Sequence, residues 1–86
     1  MCRSIKPLFN FQPPATQEEA RAAALQFVRK VSGFQRPSRE NAEAFDAAVE
    51  EVTATVRRLI ESLQTKAAPR DRETEAAKAR ARYATN

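Results

Sequence analysis

Three hydrophobic patterns succeed one another along the chain. In residues 1–15 the large apolar side chains Ile5, Leu8, Phe9 and Phe11 are crowded together among Pro7, Pro13 and Pro14. Proline fixes φ and removes amide donors, so neither a helix nor a central strand fits this stretch. It reads as an extended arm. Left in water, its apolar groups would each forfeit about 1.5–3 kcal/mol, so the arm is expected to lie across the helices and bury them there. Residues 16–65 change to spacings of three and four, the signature of helices with one buried face. Residues 66–86 keep helix-forming alanines and charges but lose the stripe, with Tyr83 the single large apolar side chain.

The first helix has a legible start and stop. Thr16-Gln17-Glu18-Glu19 is a capping box, with Thr16 at the N-cap and Glu19 reaching back three residues later. Ala20, Ala24, Phe27, Val28 and Val31 form the stripe. Gly33, the only glycine, follows Ser32 where a left-handed C-cap is easiest without a Cβ. The second helix follows Pro37, with Ser38 as its expected N-cap. Ala42, Phe45, Val49, Val52, Val56, Leu59 and Leu63 then alternate spacings of three and four, with Ile60 widening the face. The flanks Asp46, Ala48, Thr53, Thr55 and Ser62 lack the paired charges of a dedicated zipper, which favours packing in a bundle. Ala67-Ala68-Pro69 punctuates the end, and the region beyond it is expected to fray or to dock only through its alanines. The fold class is therefore all-α: a helical hairpin of a short and a long helix (16–65), an extended proline-containing arm (1–15) and a basic third helix or tail (66–86). Two helices and an arm scarcely cover so long a ridge. Homodimerisation is expected along the seam Phe45, Val49, Val52, Val56, Leu59 and Leu63.

Composition narrows the chemistry. The 86 residues include no histidine, no tryptophan and one cysteine. A zinc site or a base-activated nucleophile lacks its usual parts, and no intramolecular disulfide can form. Glu40, Glu43, Glu50 and Glu51 fall on the outer face of the second helix, where solvated carboxylates are poor catalysts. The reading is of a non-enzymatic protein with no cofactor, no membrane span or signal peptide, and a reducing cytoplasmic setting. The net charge of +4 is uneven. Residues 16–65 hold seven basic and eight acidic side chains, whereas residues 66–86 hold six basic and three acidic. No acidic residue lies between Glu19 and Glu40, while Arg29, Lys30, Arg36 and Arg39 do. Arg36 and Arg39 bracket Ser38 at the expected helix N-terminus, an arrangement suited to a phosphate or carboxylate. The partners this suggests are nucleic acid or another polyanion, beside a second copy of the chain. The alternative function rests on Cys2. If Met1 is removed, Cys2 carries an α-amine and a thiol on adjacent carbons, and Arg3 favours the thiolate, giving a metal ligand or a reactive thiol.

Three stretches carry a resemblance. They are Met1-Cys2-Arg3 with Phe11-Gln12-Pro13-Pro14-Ala15-Thr16, then the run from Ala22 to Gly33, then Pro69-Arg70-Asp71-Arg72. Together they resemble a small bacterial family catalogued as domain of unknown function 2277. The resemblance implies a small cytosolic protein with the Cys2-Arg3 opening as a hallmark. It implies no substrate, cofactor or catalytic residue.

Overall fold

The computed structural model describes residues 5–84, for Tyr83 and Ala84 the backbone alone. The elements run β1 (Phe11–Gln12), α1 (Gln17–Ser32), a 3₁₀ turn (Arg39–Asn41), α2 (Ala42–Ser62), β2 (Arg70–Asp71) and α3 (Arg72–Ala84). Among the described residues, no helix is long and apolar enough to cross a membrane.

Helix α1 starts and stops as its sequence predicts. The Thr16 hydroxyl accepts from the Glu19 amide at 3.2 Å, and the Glu19 carboxylate accepts from the Thr16 amide at 2.9 Å. At the other end Gly33 adopts φ 79°, and its amide donates to the Arg29 carbonyl. Helix α2 departs from expectation at both ends. The Ser38 side chain makes no capping bond to backbone; its hydroxyl instead accepts from Asn41 Nδ2 at 3.0 Å, and a 3₁₀ turn precedes the α-helix. At the C-terminus α2 stops at Ser62, because Leu63 turns extended at ψ 145°.

The two long helices pack antiparallel around a small core of Ala24, Val28, Phe45 and Val49, with Leu25, Ala48 and Val52 against it. Alanine at 20 and 24 lets the helices approach closely, and both are buried. Thr53 is buried as well, one turn beyond Val49, and its hydroxyl donates back to the Val49 carbonyl at 2.6 Å. That local bond satisfies the polar group without a partner from α1, so threonine can occupy a core position. At the edges, Arg57 donates to the Gln17 side chain and Arg21 pairs with Glu50 at 3.4 Å.

The arm runs beside the start of α1 and along α3, with Lys6 and Leu8 near Glu18, Glu19, Ala22 and Ala23, and Pro7, Leu8 and Phe11 facing Ala76 and Ala79. Ile5, Leu8, Phe9 and Phe11 are all half-buried. Its attachment is more specific than apolar contact alone: β1 pairs in parallel with β2, Phe11 opposite Arg70 and Gln12 opposite Asp71. Asn10 adopts the left-handed region at φ 63°, which a short polar side chain tolerates. There its carbonyl accepts from the Arg70 amide at 2.7 Å while its Nδ2 donates to the Ala68 carbonyl at 3.1 Å.

The result is a thin, open body with extents of 44 × 36 × 18 Å. Its radius of gyration is 15.2 Å, where a compact chain of this length has about 12 Å. Its accessible surface is 7013 Å², where a folded monomer of this mass has about 5,100 Å².

Candidate functional site

Three places in the fold gather the features from which function can be built: a charged clasp, the cavity beside it, and an apolar groove on the hairpin.

The clasp is centred on Arg72, the first residue of α3. Its two terminal nitrogens donate to the two Glu19 carboxylate oxygens, each at 2.7 Å. Its Nε donates to the Pro13 carbonyl at 2.8 Å and Nη2 also reaches the Pro14 carbonyl at 3.1 Å. One planar guanidinium thus ties together the arm, α1 and α3, using the rigid fork that lysine lacks. Glu19 serves two ends at once, since the same carboxylate closes the capping box. The Arg72 fork and, next, the Thr16 amide pull its pKa down to about 2, against partial burial. Arg70 and Arg72 both lie 5.7 Å from the centre of the Phe11 ring, adding cation–π attraction. Between them, Asp71 accepts from the amide and the hydroxyl of Thr74, at 2.9 and 2.8 Å. These bonds cap α3 and hold the Asp71 carboxyl below its usual range.

Beside the clasp, the arm and α3 enclose a cavity of ≈ 470 Å³. Five cations line it (Lys6, Arg70, Arg72, Arg80 and Arg82) against two carboxylates, Glu19 and Glu75. Its apolar wall is made by Pro7, Leu8 and Phe11 from the arm and by Ala76 and Ala79 from α3.

The groove lies on the hairpin, between the second half of α1 and the first half of α2. It measures ≈ 340 Å³ and is bordered mainly by Phe27, Val31, Phe34, Phe45, Ala48 and Val52. Its walls are open to solvent: Phe27 is 49% exposed, Phe34 44% and Val31 71%. Beyond it along α2, Leu59 and Leu63 are exposed at 56% and 45%.

The sequence-derived residues fall unevenly on this map. Of the seam, Phe45 and Val49 are buried against α1 within the chain and are not available to a partner. Val52 and Val56 are half-buried, and Leu59 and Leu63 are uncovered. In the turn, Arg29 Nε donates to the Gln35 carbonyl at 3.0 Å and so closes the bend. Lys30, Arg36, Ser38 and Arg39 are exposed, and none of the three cations forms an ion pair among the described residues. Cys2 and Arg3 lie outside the described residues. Among the described residues no group of three or more His, Cys, Asp or Glu side chains comes together as a metal site.

The clasp and its cavity were missed from sequence. Part of the signal was present: Arg70 and Arg72 flank Asp71 with the period of an extended segment, and Asp71-x-x-Thr74 is an N-cap spacing. What could not be read was that Glu19, already used in the capping box, would accept an arginine 53 residues away.

Residues 1–78 match the family described as uncharacterized conserved protein (DUF2277). The chain belongs to DUF2277. The match takes in the arm, the hairpin and the start of α3, and hence every group of the clasp. No curated protein and no solved structure matches the DUF2277 chain.

Proposed function

We propose that this DUF2277 protein is a non-enzymatic helical interaction module that works as a homodimer, joined through the uncovered face of its hairpin. The observation that carries the reading is the surface that one copy leaves open. Phe27, Val31, Phe34, Leu59 and Leu63 are large apolar side chains left 44–71% exposed on the hairpin, and a standard interface needs about 800 Å² per partner. Phe27, Val31, Phe34 and Val52 border the groove, and Leu59 and Leu63 continue the spacing of three and four from Val52 and Val56. A second copy supplies an apolar face of the same extent by symmetry. The basic turn adjoins this face, since Phe34 and Asn41 border the groove. In the dimer the turn forms the anion-seeking patch, with Arg36 and Arg39 offered to phosphates of nucleic acid or another polyanion. The single cysteine suits the reducing cytoplasm as the place where this happens.

Sedimentation velocity at micromolar concentration tests the reading. The expected particle has twice the 9.6 kDa chain mass, and Val31→Glu with Leu59→Glu returns it to one chain with helicity unchanged. With duplex DNA added, affinity falls with salt by a log–log slope of about −0.9 per phosphate contact, and Arg36→Glu with Arg39→Glu flattens it. A 9.6 kDa species alone at 100-fold higher concentration overturns the dimer, and no retention of DNA at low salt overturns the polyanion role.

A further inference from the structure

We propose that the cavity between the arm and α3 binds a nucleotide-sized phosphate ester, with its phosphates held by Lys6, Arg70 and Arg80 and its body against Leu8, Phe11 and Ala79.

Charge sets the class of ligand. Arg72 is answered by Glu19 and Glu75 meets Lys78 at 3.3 Å, so the ≈ 470 Å³ cavity still offers an excess of positive charge at Lys6, Arg70 and Arg80. A monocarboxylate would leave most of that excess unanswered, whereas a phosphomonoester or diphosphate brings two to three negative charges. The cations are not equal in what they can offer. Arg72 is spent on Glu19 and on the Pro13 and Pro14 carbonyls, and it acts as a fixed wall. Lys6 and Arg70 form no ion pair among the described residues. Arg80 meets Glu73 at 3.4 Å, but both side chains are largely exposed, and such a pair yields readily to a better anion.

Size and lining set the rest. Small-molecule sites occupy about 300–1,000 Å³, with apolar walls and a few convergent polar groups. Here one wall is the arm, with Leu8 and Phe11, and the other is the alanine face of α3, whose small side chains leave the room. The clasp holds the two walls apart at a fixed distance, because Arg72 bridges them at the mouth of α3. The basic turn at Arg36 and Arg39 bears charge too, but neither arginine borders the groove it adjoins, whose lining is almost wholly apolar. The inference does not depend on dimerisation, as every lining residue belongs to one chain.

Calorimetric titration with ADP, adenosine and inorganic pyrophosphate at low salt decides the matter. The expected result is one ADP per chain, bound at least ten-fold more tightly than either adenosine or pyrophosphate. Lys6→Gln with Arg70→Gln should weaken ADP at least ten-fold with the helical circular dichroism kept, since the Arg72–Glu19 fork and the backbone pairing of β1 with β2 remain. Arg36→Gln with Arg39→Gln should leave ADP affinity as it was, and so should Leu59→Glu, whatever the state of association. The proposal falls if ADP does not bind at millimolar concentration, if the Lys6/Arg70 variant binds it undiminished, or if the Arg36/Arg39 variant loses it. Pyrophosphate binding as tightly as ADP removes the organic body, and adenosine binding as tightly removes the phosphates.

Discussion

The hairpin and the clasp hold their parts together by different physics. Between α1 and α2 the contact is apolar at its centre: Ala24, Val28, Phe45 and Val49 exclude water, the buried Thr53 hydroxyl bonds within its own helix, and the polar pairs Arg57–Gln17 and Arg21–Glu50 stay at exposed edges. Between the arm, α1 and α3 the contact is directional: a bidentate ion pair, two proline carbonyls, an asparagine and two rungs of parallel strand. Burial is indifferent to pH and to the identity of the partner, so long as volume is kept. A fork of hydrogen bonds depends on one protonation state and one geometry. The comparison predicts that the molecule can lose its clasp and keep its hairpin, but not the reverse.

The strongest way to break that asymmetry is in the core. Phe45→Ala removes a buried ring and should cost about 3–5 kcal/mol, a large share of the stability of so small a domain. Urea denaturation should show the hairpin and the clasp lost in one transition. A stable clasp surviving in that variant would contradict the dependence.

Glu19→Gln should come next, and its effect should be local. The neutral amide cannot receive the guanidinium fork as a carboxylate does. The loss should be about 1–3 kcal/mol, the upper figure following from the pKa shift and the lower allowing for solvent beside Arg72. Hydrogen exchange should rise in residues 5–15 and 70–76 while α2 stays protected. Acid should act the same way. Glu19 is depressed from an ordinary value of 4.5 to about 2, so the folded state holds its carboxylate where the unfolded chain has taken a proton. The stabilisation is therefore complete above the ordinary range and drains away as pH falls from about 4.5 towards 2. Exchange measured across that window should show the arm loosening in the parent chain and no such pH step in Glu19→Gln.

The smallest effect sharpens the picture at one helix end. Asp71→Ala removes the acceptor for both Thr74 groups, so the first turn of α3 should fray. A slight loss of helical circular dichroism is expected with the α1–α2 transition unmoved.

Legibility in the sequence followed the same division. The hairpin was readable because its determinants are local: the capping box at Thr16 and Glu19, the left-handed stop at Gly33, and stripes that repeat every turn. The buried Thr53 escaped, because a polar residue on a flank signals solvent unless its own backbone bond is foreseen. The start of α2 also moved, as Asn41 took the Ser38 hydroxyl and a 3₁₀ turn came first. The arm's burial could be anticipated from its four large apolar groups, but its anchor could not. Asn10, Phe11 and Glu19 find their partners at Ala68, Arg70 and Arg72, across more than fifty residues, and no periodicity within either segment announces the pairing.

The two rungs that join Phe11 to Arg70 and Gln12 to Asp71 make the opening and closing stretches of the sequence mutually dependent. A shortened gene product ending after Leu63 would retain both long helices yet strip the cover from Phe11 and the acceptor's counter-charge from Glu19. Four oily side chains would then hang from a proline-stiffened leader, and the fragment would be stickier than the whole. Boundaries for expression therefore belong beyond the third helix, however dispensable that polar stretch looks on paper.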